Sequence, residues 1–140
     1  MIRILLTIIT ISLFWIYITY PQIGDFAYNN ITDLEAYIYG FKQKQINIDE
    51  LSMSFYESKN STNKPTILMI HGFSADKDVW PRFARHLVKD YNIIIPDLAG
   101  HGNTGFENQW DFSPNQQAVR LFKLLHKLNI SKAHIVGNSM

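Results

Sequence analysis

Cysteine is missing from this chain altogether. That excludes disulfides, thiolate zinc sites, a cysteine nucleophile and a lipid-modified cysteine. It leaves the compartment open, because a disulfide-free protein can work anywhere. A dominant sign of charge is missing too. Thirteen Lys and Arg stand against 12 Asp and Glu, a formal net charge of +1, and no block of like charge stands out. Neither nucleic acid nor an acidic surface is implied as a partner. The five histidines show no metal-ligand spacing such as H-x3-H, so no metal site is expected. The chain has no internal repeat and no low-complexity tract.

What is present is globular in composition. The 140 residues are 46% hydrophobic and 14% aromatic, with room for one domain. An uncharged apolar run leads the chain, from Ile4 to Tyr20, with Arg3 before it and Pro21 after it. As a helix it would span roughly 25 Å at about 1.5 Å per residue, close to a hydrocarbon core of about 30 Å. It is long for the apolar core of a signal peptide, and no small-x-small cleavage site follows. Trp15, Tyr17 and Tyr20 are placed as interfacial aromatics. Residues 1–21 therefore read as an uncleaved signal-anchor, with a cleaved signal peptide as the first alternative and a buried core helix as the second, which would need a core all round it. Arg3 on the short side puts the N-terminus in the cytoplasm and the remainder outside it, opposed weakly by Lys42 and Lys44. The expected location is membrane-anchored on the extracytoplasmic side, or exported.

Residues 22–44 read as a polar spacer followed by a short amphipathic helix. Thr32-Asp33-Leu34-Glu35 has capping-box spacing, Leu34, Tyr37, Ile38 and Phe41 recur at helical intervals, and Gly40 marks the end. Strands are expected at Gln45–Ile48 and Leu51–Tyr56, joined by Asp49-Glu50, which is not a favoured tight turn. A polar loop from Glu57 to Lys64 follows.

From Pro65 the pattern becomes regular. Thr66–Ile70, Tyr91–Ile95 and Ala133–Val136 are continuous apolar runs, the mark of strands buried on both faces. Between the first two, Asp76 or Asp78 can cap a helix with Trp80, Phe83, Ala84 and Leu87 facing the core. Between the second and third, Ser113-Pro114-Asn115-Gln116 opens a helix with a capping box and proline at its first position. Ala118, Leu121, Phe122, Leu125 and Leu128 are its expected core face. Such alternation describes an α/β fold, a mostly parallel sheet with right-handed crossover helices.

Two strand ends carry candidate chemistry. His134-Ile-Val-Gly-Asn-Ser-Met140 runs from a buried strand into Gly137, Asn138 and Ser139, the start of G-x-S-x-G, which seats a nucleophilic serine on a sharp turn. A serine hydroxyl needs a base to attack. His71-Gly72-Phe73-Ser74 follows the first buried strand. Preorganised N–H donors there can stabilise an oxyanion, and in this geometry they are the backbone N–H groups of Phe73 and Met140. Gly72 permits close backbone approach, and His71 reads as a packed histidine propping the turn rather than as the base. Gly100, Gly102 and Gly105 spell G-x-G-x-x-G, but Pro96–Ala99 separate the run from its strand and no helix follows, so it does not read as a dinucleotide site. Asp97 and His101 more plainly brace this loop by hydrogen bonds.

The stretches Thr66–Trp80, Ile95-Pro-Asp-Leu-Ala-Gly-His-Gly102 and His134–Met140 together resemble the α/β-hydrolase superfamily. Within it they are most similar to bacterial lipases and carboxylesterases with an H-G-F-x-x-x-K-D-x-[WF] stretch and an N-S-M-G-G elbow. The resemblance covers residues 45–140, as an incomplete α/β-hydrolase domain. It implies Ser139 as nucleophile, Phe73 and Met140 as oxyanion donors, His71 and Gly72 as the loop shaping the hole, and Gly137 and Asn138 as part of the elbow. The implied reaction is carboxylic ester hydrolysis through an acyl-enzyme on a small-molecule or lipid ester, without a cofactor. Relatives with an aspartate nucleophile are disfavoured by Ser139. The family's acid and histidine follow the serine, in the order Ser, Asp/Glu, His. The 140 residues alone are therefore expected to be inactive, with the last strand exposed and the polypeptide insoluble or chaperone-held. The alternatives are a truncated, non-catalytic membrane-tethered protein and a C–C bond hydrolase of the same fold.

Overall fold

A computed structural model describes residues 2–58, 61 and 63–139. Met140, and part of the polar loop after Tyr56, lie outside them. Residues up to Leu34 form one compact unit and those from Glu35 onward a second.

The first helix, α1 (Ile2–Thr19), has no buried residue. Its threonines return their hydroxyls to the helix backbone, as Thr7 does to the Arg3 carbonyl at 2.9 Å and Thr10 to that of Leu6 at 2.9 Å. The three threonine hydroxyls are thus satisfied within the helix, Thr19 donating to the Trp15 carbonyl at 2.8 Å. This is one helix long and apolar enough to cross a membrane.

The second helix, α2, runs Pro21–Ile38, so the expected spacer is helical. Proline suits a first helical turn, where its missing N–H costs nothing. Thr32 consequently lies inside the helix rather than capping one, with its hydroxyl on the Tyr28 carbonyl at 3.1 Å.

Five strands form one sheet in the order β1-β2-β4-β3-β5. They are β1 (Phe41–Ile48), β2 (Leu51–Ser58), β3 (Thr66–Ile70), β4 (Asn92–Pro96) and β5 (Ala133–Gly137). The hairpin β1–β2 is antiparallel, with Ile48 opposite Leu51, and Asp49 takes φ +49° to close it. β2 pairs antiparallel with β4, while β4–β3 and β3–β5 are parallel. Strand alternation sends Phe55, Leu68 and Ile94 to one face, where Leu121 and Leu124 pack. Tyr56, Ile67, Met69, Ile93 and Ile95 go to the other, with Ala36 and Ala84. Cores on both faces explain the uninterrupted apolar runs of β3 and β4, whereas β5, expected to be buried on both faces, is half-buried to exposed, with Ile135 68% exposed, because it is the outermost strand of the described sheet.

Both crossovers differ in detail from the sequence pattern. The expected Trp80–Leu87 helix is a 3-10 turn, Lys77–Val79, followed by the short α3 (Pro81–Ala84). Pro81 has no N–H to continue an incoming helix and restarts one instead. Asp76 caps the 3-10 turn, accepting from the Asp78 N–H at 2.9 Å, and Phe83 is exposed rather than core-facing. The second crossover, α4 (Pro114–Lys127), has Ser113 as its N-cap, accepting from Gln116. Its buried face is Gln117, Arg120, Leu121 and Leu124. The expected stripe is rotated: Phe122 is exposed, as is Ala118, because two polar side chains, Gln117 and Arg120, take buried positions where partners meet them that an apolar pattern cannot reveal.

Candidate active site

The chain leaves β3 to build β4 on one side of it, then returns through α4 to place β5 on the other. Strand order reverses at β3, and the carboxyl ends of β3 and β5 meet where open α/β sheets hold ligands. The Asn138 N–H extends the ladder, donating to the Ile70 carbonyl at 3.1 Å. Ser139 then turns out of the sheet with φ +41°. This is the left-handed region, which costs a side-chain-bearing residue about 1–3 kcal/mol. Ser139 is exposed and follows directly on the parallel strand β5, whose residues are half-buried to exposed; a strained serine on a strand-to-helix turn is the arrangement a nucleophile elbow requires.

The loop after β3 meets this turn directly. The Phe73 N–H donates to the Ser139 carbonyl at 3.1 Å. Gly72 is pressed so close that a Cβ would lie 2.0 Å from the Ser139 oxygen and 2.6 Å from that of Asn138. Any other residue would push the two loops apart. At Gly137 a Cβ would meet nothing within 4 Å, so the described residues give no steric reason for that glycine. Met140 lies outside the described residues.

His71 is fully buried beneath this junction. Its Nε2 accepts from the Leu98 N–H at 3.0 Å, which leaves the proton on Nδ1, 2.8 Å from the Gly72 carbonyl that accepts it. Burial pushes the His71 pKa down, partly offset by the Gly72 bond. The ring is a neutral strut between the loops after β3 and β4, with both nitrogens engaged.

A buried charge cluster lies beside that strut. Lys77 and Asp97 are 2% and 0% exposed and pair at 3.2 Å. Asp97 also accepts the Lys77 N–H at 2.7 Å and the Asn103 N–H at 2.9 Å. Lys77 lies 3.6 Å from Asp78, which accepts from the Tyr56 hydroxyl at 2.7 Å. Thr104 donates to the Asp97 carbonyl and accepts from the Ser54 N–H, tying in β2. Asp97 was legible as a loop brace. Lys77 was not, because a lysine in the polar run Asp76-Lys-Asp78 reads as solvated. The G-x-G-x-x-G loop wraps the same carboxylate, and a Cβ on Gly102 would lie 2.5 Å from it. This run enters a 3-10 turn, Gly102–Thr104.

Gln117 was also missed. Its amide accepts from the Ala99 N–H at 3.2 Å and donates to the Ala99 carbonyl at 2.9 Å, pinning the loop after β4 onto α4. Arg120 reaches Glu50 and the Asp111 carbonyl, both at 2.6 Å. Among the described residues no group of His, Asp and Glu could hold a metal ion.

Two parallel crossovers, a strained serine after β5 and a glycine loop pressed against it define an α/β hydrolase front. The family model for the alpha/beta hydrolase fold matches residues 65–140, and the chain belongs to that family. It is 40% identical over 89 residues to Lipase 3 of a Moraxella species, covering 63% of this chain and 28% of that protein. To human monoacylglycerol lipase ABHD6 it is 39% identical over 80 residues, 56% of this chain and 24% of the relative. A crystal structure of a bacterial membrane phospholipase A superposes with a TM-score of 0.76 at 29% identity, over 99% of this chain and 44% of that one. The matched region is thus about a quarter of the length of the two lipases.

Proposed function

We propose that this chain carries the nucleophile and oxyanion loop of a serine hydrolase of carboxylic esters, acting on lipid-like substrates. One observation carries the reading: Ser139, at φ +41°, stands at the sheet's switch point with its backbone against Gly72 and Phe73. The lipases and the phospholipase among its relatives support the substrate class.

The Ser139 hydroxyl oxygen attacks the ester carbonyl as a base takes its proton. The resulting oxyanion is held by the N–H groups of Phe73 and Met140. Collapse expels the alcohol, which takes up the proton, and water then hydrolyses the acyl-serine. The Phe73 N–H is engaged by the Ser139 carbonyl, so oxyanion binding requires that carbonyl to turn away. His71 cannot be the base, since Nε2 already accepts from Leu98 and Nδ1 faces Gly72. Residues 1–140 alone are inactive on this reading. α1 anchors the protein, with the sheet domain on the extracytoplasmic side.

The test uses the protein expressed from its complete natural coding sequence. Ser139→Ala should lower ester turnover by a factor on the order of a million, as loss of a triad serine does, with the melting temperature retained. Polypeptide 1–140, assayed beside it, should show no turnover. Retained activity in the alanine variant removes Ser139 from the chemistry, and turnover by polypeptide 1–140 overturns the need for residues beyond it.

A further inference from the structure

The Phe73 N–H is not held in place by its own side chain, which is 84% exposed and meets His101 edge-on with ring centroids 6.3 Å apart. One residue further, Ser74 stands at φ +60°, the left-handed region that strains a residue bearing a side chain. Such strain persists where the surroundings over-determine the backbone. A strained loop left loose would relax and carry the Phe73 N–H with it.

Both ends of this loop are fixed, and to the same neighbour, the loop after β4. At the start His71 takes the Leu98 N–H at 3.0 Å. At the far end Lys77 gives its N–H to Asp97 at 2.7 Å and its ammonium to the same carboxylate at 3.2 Å. Between these ties the Ala75 N–H crosses to the Gly72 carbonyl at 3.3 Å, longer than an ordinary N–H to oxygen bond. Asp97 is itself anchored. Its N–H donates to the Ser54 carbonyl of β2 at 2.8 Å, and its carbonyl accepts from Thr104 at 2.8 Å. The carboxylate also takes the Asn103 N–H at 2.9 Å. The Lys77 ammonium is seated over the Tyr56 ring, 4.8 Å from its centroid, which fixes the head group from a second side.

Burying an ion pair adds little stability, since desolvation offsets much of the attraction and apolar side chains of similar volume often serve as well. What the pair does supply is a fixed position. We propose that Lys77 and Asp97 are positioning residues, whose buried pair clamps the loop after β3 and keeps the Phe73 N–H where an oxyanion forms beside Ser139. A donor held in advance costs no rearrangement during the reaction. This rests on the ester-hydrolase reading.

The test is Lys77→Met in the protein expressed from its complete natural coding sequence. Competent sites are counted by titration with a fluorophosphonate, so turnover is read per folded site. Outright removal of an oxyanion donor costs about a hundred- to a thousandfold in kcat, and a displaced donor should cost about thirtyfold. Acylation and deacylation both pass through an oxyanion, so both slow alike, and KM for p-nitrophenyl butyrate should stay within about twofold. A trifluoromethyl ketone, which the serine attacks to give a lasting oxyanion, should lose affinity by the same factor as kcat. Unchanged kcat per competent site overturns the proposal. So does a fall in kcat with the ketone's affinity kept, because the donor has then not moved. If Lys77→Met does not fold, Lys77→Met with Asp97→Asn removes both charges together and is read in the same way. Should the unsubstituted protein hydrolyse no ester, the functional reading fails by itself, and amide hydrogen exchange decides the rest. Faster exchange over residues 72–77 in the variant keeps the pair as the clamp of this loop, and unchanged exchange refutes it.

Discussion

His71 and Gly72 are adjacent and do different work at the same junction. Gly72 gives the loop after β3 room to touch the turn at Ser139, and His71 ties that same loop to the loop after β4 through one ring nitrogen to each. The histidine must stay neutral, because a protonated Nε2 could no longer accept from Leu98. Burial keeps its pKa below the usual 6.5. Between the folded and unfolded values the unfolded chain binds the extra proton, so stability falls as pH falls through that range. Asp76 has the opposite sign. Burial and the neighbouring Asp78 raise its pKa above 3.8, so its contribution is lost as pH rises through its folded value. Urea unfolding at about pH 7.5 and about pH 5.5 should therefore show a loss of stability on acidification. The loss should be smaller in His71→Gln, which keeps an acceptor for Leu98 but cannot be charged. Equal losses in both proteins would show that His71 does not set the pH response.

The elements that position the site are short, and side-chain bonds hold them together. The loops after β3 and β4 have little regular structure of their own, and Asp97 with Lys77 joins them below the surface. Removing one partner of a buried pair leaves an uncompensated charge and costs about 3–5 kcal/mol. Asp97→Asn should destabilise by that order, while Lys77→Met in the same background should cost much less than it does alone. A double-mutant cycle by denaturant unfolding reads the coupling, and strictly additive single effects would remove the pair from the argument. The same element shows where an apolar pattern misleads. α4 was legible at its ends, from Ser113 and Pro114, but its buried face includes Gln117 and Arg120. No periodicity of hydrophobic residues marks a polar side chain that is buried because Ala99, or Asp111 and Glu50, waits for it.

At the scale of the whole molecule, the chain divides into a unit holding the exposed apolar helix α1 and a unit holding the sheet, whose strands β3 and β4 are buried on both faces. If α1 anchors the protein, washed membranes should retain it through high salt, and deletion of residues 2–19 should release it. Recovery of the natural protein in the soluble fraction at reduced mass would instead identify α1 as a cleaved signal.

Sequence alone determined the parts governed by local chemistry and period. The apolar runs mark the strands β3, β4 and β5, of which β3 and β4 are buried and β5 is half-buried to exposed, Ser113 and Pro114 mark the start of α4, and Gly72, Phe73 and Ser139 fall just past strand ends. It also marked the apolar helix α1 by its length and composition. Tertiary structure decided what depends on meeting across the chain. It brought Gly72 within reach of Ser139, gave Lys77 a buried partner twenty positions away, and placed Phe106 over Phe112. The physical reason is the same in each case. A strand or cap is specified by neighbours along the chain, whereas a close backbone approach or a buried ion pair exists only after the sheet order has set which ends converge.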